Sequence, residues 1–585
     1  MFAVPSWLPL SRLALVAVAV ACLYVAWRLD DRRERRVAAL RSRLLYGVPW
    51  GTLVSALFVL AVYLVVQGGY QYWYRPVVVP FRAWSYLYPT GMLTAAFSHS
   101  GAGHLLGNLF GTLTLAPLVE YAWGHYPTAR EGESLGSSKW RADPRVRAFL
   151  LFPAAVVAVG LFTALFSVGP IVGFSGVVFA FAGFALVYYP LTTVLALSAS
   201  RVVDLLYDSL VDPTTVASSR ETIVSPWWAQ IAIQGHAIGL LAGVFLALWL
   251  VDRRGDEFPS ALRLWTGVLL FSVSQSLWAV YWYRGGDSYV LFRAVGLALV
   301  LLLATLVAAA VGASGRPLLG RVGASVRERA GDVVGDGSGR RTRESGDERG
   351  GESGGRNGLR SVTGRQAAVA LLLVGAAAIT GPAIAVNMVT TAGDDSPGES
   401  VQVRGYEVTY AENVTNGMVS VLDLEGFGES TSVTTSGVVV RNPDRNIWTR
   451  EVSKAQLAFR GRSAVRVGGV GWRETVVANR TGWSLAGSNA SYRVTLAVDG
   501  DETTAYTSPP ATAEPVVAGQ NVSIAAENES FRLVVGTEND TVSAPVPRTN
   551  ESVTLREIRF TNRDGKLYAE TNGTRVRVAS RERYR

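Results

Sequence analysis

The residues able to do chemistry in this chain are few, and they stand where polar groups are costly. Ser175 lies between glycines in Gly173-Phe-Ser-Gly176, where a short loop enters an apolar segment. His104 and Asn108 interrupt a second apolar run, and His236, in Gly235-His-Ala-Ile-Gly239, interrupts a third. A serine hydroxyl is a useful nucleophile only when a base takes its proton, and in hydrolases that base is most often histidine. The chain holds four histidines, His99, His104, His125 and His236, so the choice of base is narrow. Amide hydrolysis also builds an oxyanion, which inside a bilayer must be met by donors already in place. His104 and Asn108, four residues apart, share one helix face and with the Ser175 N–H can form that hole. Gly239 and Gly243 keep one face of the His236 helix small, and Gly176, Ala180 and Gly183 do the same for the serine helix, so the two can approach to hydrogen-bonding distance.

Each feature alone has a plainer reading. Small residues and asparagines pack membrane helices, and a lone membrane histidine commonly makes an interhelical bond or lines an ion path. Their joint occurrence at one inferred depth favours a site. A soluble α/β-hydrolase is excluded, because its G-x-S-x-G elbow follows a strand, whereas Val177 stands two past Ser175. His125, beside Trp123 and Tyr126, reads as an interfacial residue on the cytoplasmic side. His99 reads either as a residue ordering the entrance or as a solvated loop histidine.

The elements that position these residues follow from composition. With 585 residues, 49% of them hydrophobic, and a mean hydropathy of +0.24, the sequence describes a polytopic membrane protein. The net charge of +9 comes with arginines gathered between apolar segments, which points to cytoplasmic retention of loops and not to nucleic acid. The single cysteine, Cys22, excludes disulfides and cysteine-ligated metals, and no cofactor or metal is expected. Ten spans are expected, at about 5–27, 48–67, 101–123, 147–167, 176–189, 190–209, 226–251, 263–283, 289–313 and 366–390. The first is followed by Arg28-Leu-Asp-Asp-Arg-Arg-Glu-Arg-Arg36, the reverse of a signal peptide's charge order, so its amino end is placed outside. The sixth is separated from the fifth at Tyr188-Tyr189-Pro190, because proline ends or kinks a helix.

The resulting division is 1–47, a span with a basic cytoplasmic segment; 48–251, a membrane core; 252–314, an additional hairpin; 315–365, a disordered cytoplasmic linker; 366–390, a last span; and 391–585, an extracytoplasmic β-rich domain. That last part alternates as short strands, as in Val401-Gln-Val-Arg-Gly-Tyr-Glu-Val, and reads as an all-β sandwich or two small ones. Asn-x-Ser/Thr acceptors begin at Asn413, Asn479, Asn489, Asn521, Asn528, Asn539, Asn550 and Asn572, with none before 390. Ten crossings starting outside expose these acceptors, place the arginine-rich connections inside, and set the protein in the cell membrane with both ends extracytoplasmic.

Phe97-Ser-His-Ser-Gly-Ala-Gly-His-Leu-Leu-Gly-Asn108, Gly173-Phe-Ser-Gly-Val-Val-Phe179 and Gly235-His-Ala-Ile-Gly-Leu-Leu-Ala-Gly243 resemble, in order, the H-x-x-x-N, G-x-S-G and H-x-x-G-x-x-x-G patterns of the rhomboid family of intramembrane serine proteases. The resemblance covers about residues 48–251, a six-helix core to which about four spans and the β domain are added. It implies a Ser175–His236 dyad without a carboxylate, oxyanion binding by His104 and Asn108, and cleavage of transmembrane protein substrates near the outer end of their spans. Two departures are visible: Phe179 stands where members often carry a tyrosine stacked on the base, and the loop at 68–98 has no Trp-Arg pair. The other functional class to be weighed is a rhomboid-like protein that binds membrane helices without cutting them, with the β domain as receptor. A transporter is disfavoured by the scarcity of charged pairs deep in the spans. Thr380-Gly-Pro382, inside the last span, reads first as the kink of an ordinary membrane anchor, since Gly and Pro are tolerated there, and second as the mark of a segment that is itself a substrate.

Overall fold

The computed structural model describes residues 10–29, 33–124, 143–211, 226–285, 288–313, 362–389, 398–415, 434–537 and 540–584. Among the described residues six helices are long and apolar enough to cross a membrane: Arg12–Leu29, Ala102–Trp123, Pro144–Leu165, Ile233–Arg254, Arg293–Gly312 and Gly364–Met388. Trp50–Val66, Ser175–Tyr188 and Ala261–Ser274 are shorter apolar helices. The chain is therefore a multi-pass membrane protein with a separate β-rich domain at its carboxyl end. In chain order the helices are α1 (Leu10–Leu29), α2 (Arg33–Arg43), α3 (Trp50–Ala61), α4 (Pro89–Thr94), α5 (Ala102–Trp123), α6 (Phe152–Leu165), α7 (Ser175–Tyr188), α8 (Pro190–Val211), α9 (Ile233–Arg254), α10 (Ala261–Ser274), α11 (Arg293–Gly312) and α12 (Gly364–Val389).

Helices α7 and α9 form the centre. A side chain at Gly239 would run into the Gly176 carbonyl, and one at Gly243 into the Ala180 carbonyl, so the two helices run parallel with their backbones in direct contact. Because α7 and α9 point the same way, the chain between them must travel back once. Pro190 opens α8, a separate helix whose Arg201, Asp204 and Asp208 leave it less apolar than the six long spans. Glu120, buried in α5, accepts from the N–H groups of Gly51 and Thr52 at 2.9 Å each and from the Thr52 hydroxyl at 3.0 Å. It thereby satisfies the open donors at the start of α3 and ties that helix to α5.

Two expectations need correction. The span at 263–283 is too long: α10 stops at Ser274, Ser276 takes a positive φ of 59°, and β1 (Tyr281–Gly285) pairs with β2 (Ser288–Leu291) as an antiparallel hairpin. Tyrosines at 281, 283 and 289 have strand propensity as well as interfacial character, and the polar Ser274-Gln-Ser276 breaks the helix. The linker at 315–365 lies outside the described residues up to 361, and its last residues, from Gly364, already belong to α12. His125 and Asn539 also lie outside them. Thr380-Gly-Pro382 sits within α12, which continues to Val389.

The described residues of the carboxyl-terminal part fold into three antiparallel sheets. The first runs β3 (Ser400–Val403), β4 (Tyr406–Thr415), β5 (Thr434–Asn442), β6 (Ile447–Ser453). A short capped helix, α13 (Lys454–Arg460), leads to the second, which holds β7 (Arg462–Gly469), β8 (Trp472–Leu485), β9 (Ala490–Val498), β10 (Asp501–Thr507), β15 (Ser552–Leu555), β16 (Ile558–Arg563), β17 (Lys566–Thr571) and β18 (Thr574–Arg581). The third is β11 (Ala511–Thr512), β12 (Asn521–Ala526), β13 (Phe531–Thr537), β14 (Asp540–Pro545). Two cores result, one around Tyr406, Val440, Val476 and Leu496, the other around Ile524, Leu533, Phe560 and Leu567. Strand β8 feeds both: Val476, Ala478 and Arg480 are buried on one face, then Trp483 and Leu485 on the other. A change of parity turns the opposite face inward, since strand side chains alternate.

Candidate active site

Ser175, His236 and His104 all lie within the first turn of their helices. Ser175 is the first residue of α7, His236 the fourth of α9, and His104 the third of α5. The first N–H groups of a helix have no intrahelical acceptor, and the helix dipole makes that end electropositive. The serine therefore sits where an anion is favoured.

His236 Nε2 lies 2.9 Å from Ser175 Oγ. The imidazole is stacked on Phe179 at 4.2 Å with 10° between the planes, and Phe179 in turn meets the edge of Phe271 of α10 at 5.5 Å. Among the described residues His236 Nδ1 has no hydrogen-bond partner, so ring stacking rather than a carboxylate fixes the imidazole plane. Phe179 thus makes the stack that a tyrosine would make, without a hydroxyl.

His104 stands on the other side of the serine loop. Its Nδ1 is 3.1 Å from Ser100 Oγ, and its Nε2 edge lies against Gly173. Gly173 has φ +131°, and a Cβ there would enter the His104 ring, so both conformation and space require glycine. The Gly173 N–H is held by the Ala95 carbonyl at 2.9 Å. Asn108, one turn further along α5, is buried, and its Nδ2 has no partner among the described residues. A buried amide donor without an acceptor is costly in a resting structure and is accounted for if an acceptor arrives in the reaction. Gly176 packs on Thr163, and Gly239 and Gly243 make the backbone contacts already described.

His99 is not a solvated loop residue. It is fully buried, its ring lies 5.1 Å from His104, and its backbone is held at both ends by Gln67: N–H to Oε1 at 2.7 Å and Nε2 to the carbonyl at 2.8 Å. Gln67 also donates to Val77 O at 2.8 Å. The loop before α4 is anchored although it has no adjacent Trp-Arg pair. Arg82 lies over the Trp84 ring at 5.7 Å, and Trp84 and Val79 are buried in the first core of the β domain. Arg82 pairs with Glu451 at 3.3 Å, and Asn446 donates to Ser85 Oγ at 2.7 Å. Gln67, Phe271 and this anchoring escape a reading of the sequence, because their partners are distant in the chain and follow no spacing rule.

The last span also reaches this end of the molecule. Gln234, two residues before His236, donates to Ile379 O at 2.6 Å and accepts from Val168 N at 2.7 Å. Asn387 donates to Ser167 O at 2.9 Å and its carbonyl accepts from Tyr86 N at 2.9 Å.

Residues 86–253 match the model of the Rhomboid domain. The chain carries a Rhomboid domain over these residues. The matched rhomboid segment runs from the loop before α4 to the end of α9 and contains Ser175, His236, His104 and Asn108. It leaves out α1 to α3, α10 to α12 and the β domain. No curated protein and no solved structure matches the chain.

Proposed function

We propose that the rhomboid domain is an intramembrane serine endopeptidase that hydrolyses peptide bonds in or near transmembrane segments of other membrane proteins. The observation that carries this reading is the 2.9 Å contact between Ser175 Oγ and His236 Nε2 at the mouth of two helices. In the proposed reaction His236 Nε2 takes the Ser175 proton as Oγ attacks the scissile carbonyl. The oxyanion is met by the Ser175 N–H, Asn108 Nδ2 and His104 Nε2, the last a donor when the Ser100 hydroxyl donates to Nδ1. Collapse breaks the C–N bond, and His236 returns the proton to the leaving amine. Water, deprotonated by the same base, then releases the acyl group. Backbone amides in lipid are locked in helical bonds, so a substrate must be locally unwound before it can be cut. The arginine-rich connections and the one-sided sequons support an outward-facing site and an extracytoplasmic β domain.

The test is cleavage of a single-span reporter by the full-length protein in proteoliposomes. Wild type is expected to cut within or near the span and Ser175→Ala to leave the reporter intact. Cleavage that survives in Ser175→Ala would overturn the reading. Capture of the reporter by wild type without any cleavage would favour a non-catalytic helix-binding role, for which the burial of Val79 and Trp84 by the β domain is the supporting observation.

A further inference from the structure

The loop that delivers Ser175, between the end of α6 at Leu165 and the start of α7, has no helix or named strand of its own, so its backbone groups must find partners elsewhere. Its second half is held by the chain before α5: the Ile171 carbonyl accepts from Ala83 N at 3.0 Å, and the Gly173 N–H donates to Ala95 O at 2.9 Å. Its first half is held by two amide side chains. Asn387 Nδ2 donates to the Ser167 carbonyl at 2.9 Å, and the Val168 N–H donates to Gln234 Oε1 at 2.7 Å. Gln234 is the second residue of α9, two before His236, and its Nε2 donates to the Ile379 carbonyl of α12 at 2.6 Å. One side chain therefore ties together the start of the His236 helix, the serine loop and the last span. A primary amide suits this place because it accepts at one atom and donates at the other. The loop lies close on α9, since a Cβ at Gly235 would stand 3.1 Å from Ser167 Oγ.

Helix α12 is suited to make these contacts. Pro382 has no N–H, and its ring crowds the carbonyls of the preceding turn, where Ile379 lies. Asn387 stands two turns beyond Ile379, on nearly the same face and about 12 Å further along the helix. It is 1% exposed in an apolar stretch, where an amide side chain is costly unless it bonds across helices. Its backbone carbonyl accepts from Tyr86 N at 2.9 Å, and Tyr86 Oη donates to Leu165 O at 2.6 Å, so the same anchor reaches the end of α6. A span that only tethered the β domain to the bilayer would need none of these bonds.

We infer that Gln234 and Asn387 are positioning residues, through which the last span fixes the loop before α7 and so sets Ser175 Oγ against His236 Nε2. The inference rests on the proposed dyad and extends it, because α12 lies outside the matched domain and here becomes part of what holds the site together.

The experiment compares full-length wild type in proteoliposomes with Gln234→Met, Asn387→Leu and the double variant. Thr380→Val is the control, because the Thr380 hydroxyl bonds to Ala376 O within α12. Each single variant is expected to lower kcat for reporter cleavage about tenfold with KM within about twofold, and to slow fluorophosphonate labelling of Ser175 by the same factor. The double variant is expected to fall well short of the product of the two effects, since both amides hold one loop. Hydrogen exchange at 165–174 is expected to rise in both single variants and not in Thr380→Val, with protection in α5 kept. Unchanged kcat and labelling in both single variants, or a rise in KM with kcat kept, would overturn the inference. A wild type that neither cuts nor labels would count against the dyad itself; exchange at 165–174 would still be read, and no rise in either variant would overturn the hold of α12 on the loop.

Discussion

At the scale of single residues, the site is defined by one pair and one unsatisfied donor. Among the described residues no carboxylate holds His236; the Phe179 ring stacks on it at 4.2 Å, and Phe271 backs Phe179 from outside the matched domain. Asn108 Nδ2 has no acceptor among the described residues, and under the proposed reaction the oxyanion supplies one during turnover. Asn108→Ala is therefore expected to lower kcat by about 10²- to 10³-fold, as loss of one oxyanion donor does, while KM changes little. A reporter titration measures both; a rise in KM with kcat unchanged would assign Asn108 to packing instead. The meeting of Ser175, His236, His104 and Asn108 was legible because each polar residue interrupts an apolar run and carries small neighbours at helical spacing. Phe271 and Gln67 carried no such signal. They act through tertiary contact alone, and a phenylalanine in an apolar helix or a glutamine at its end looks ordinary in sequence.

At the scale of elements, the contact between α7 and α9 is the most demanding. Gly243 faces the Ala180 carbonyl, a backbone atom that cannot rotate away. Gly243→Val is expected to cost more than the roughly 1–3 kcal/mol of ordinary overpacking and to abolish cleavage, because separating the helices separates Ser175 from His236. Thermal unfolding and the reporter assay on the same preparation check both parts. The helices α5 to α9 could be read from hydropathy and from Pro190. The hairpin of β1 and β2 could not, since tyrosine-rich apolar stretches suit a membrane helix end and a strand equally. In the β domain, Glu412 of β4 accepts from Tyr410 Oη at 2.8 Å, from Tyr492 Oη and from Lys454 Nζ at 2.8 Å. Desolvation raises its pKa, but the bonds from Lys454, Tyr492 and Tyr410 together outweigh it and hold the carboxyl below its usual 4.5. A carboxyl depressed on folding adds stability above its unfolded pKa and loses it as pH falls through the folded value. Glu412→Gln should therefore flatten the acid limb of the β domain's unfolding curve; an unchanged limb would show that the network does not titrate with folding.

At the scale of the whole molecule, the β domain is fastened to the loop that leads into the Rhomboid domain. Trp84 is 1% exposed and Val79 2% exposed, both inside a core built mainly from residues beyond 400. The loop that carries them also joins Gln67 and His99, the residue beside His104, to that core. Trp84→Ala is expected to remove about 3–5 kcal/mol from this docking. Hydrogen exchange should then rise together at 77–88 and in β5 and β6, and unchanged protection would mean that the loop holds its place without the β domain. Sequence alone showed a β-rich segment but not this attachment, because two apolar side chains in an interfacial loop give no hint of which core receives them.

In the proposed reaction Ser175 is a nucleophile activated by His236. The most direct measurement is reaction of the full-length protein in lipid with a fluorophosphonate, read by intact mass and by the mass of the peptide bearing residue 175. A single adduct on Ser175 is expected, absent in Ser175→Ala and lost or strongly slowed in His236→Ala. An adduct on another residue, or labelling of Ser175 at an unchanged rate in His236→Ala, would contradict it.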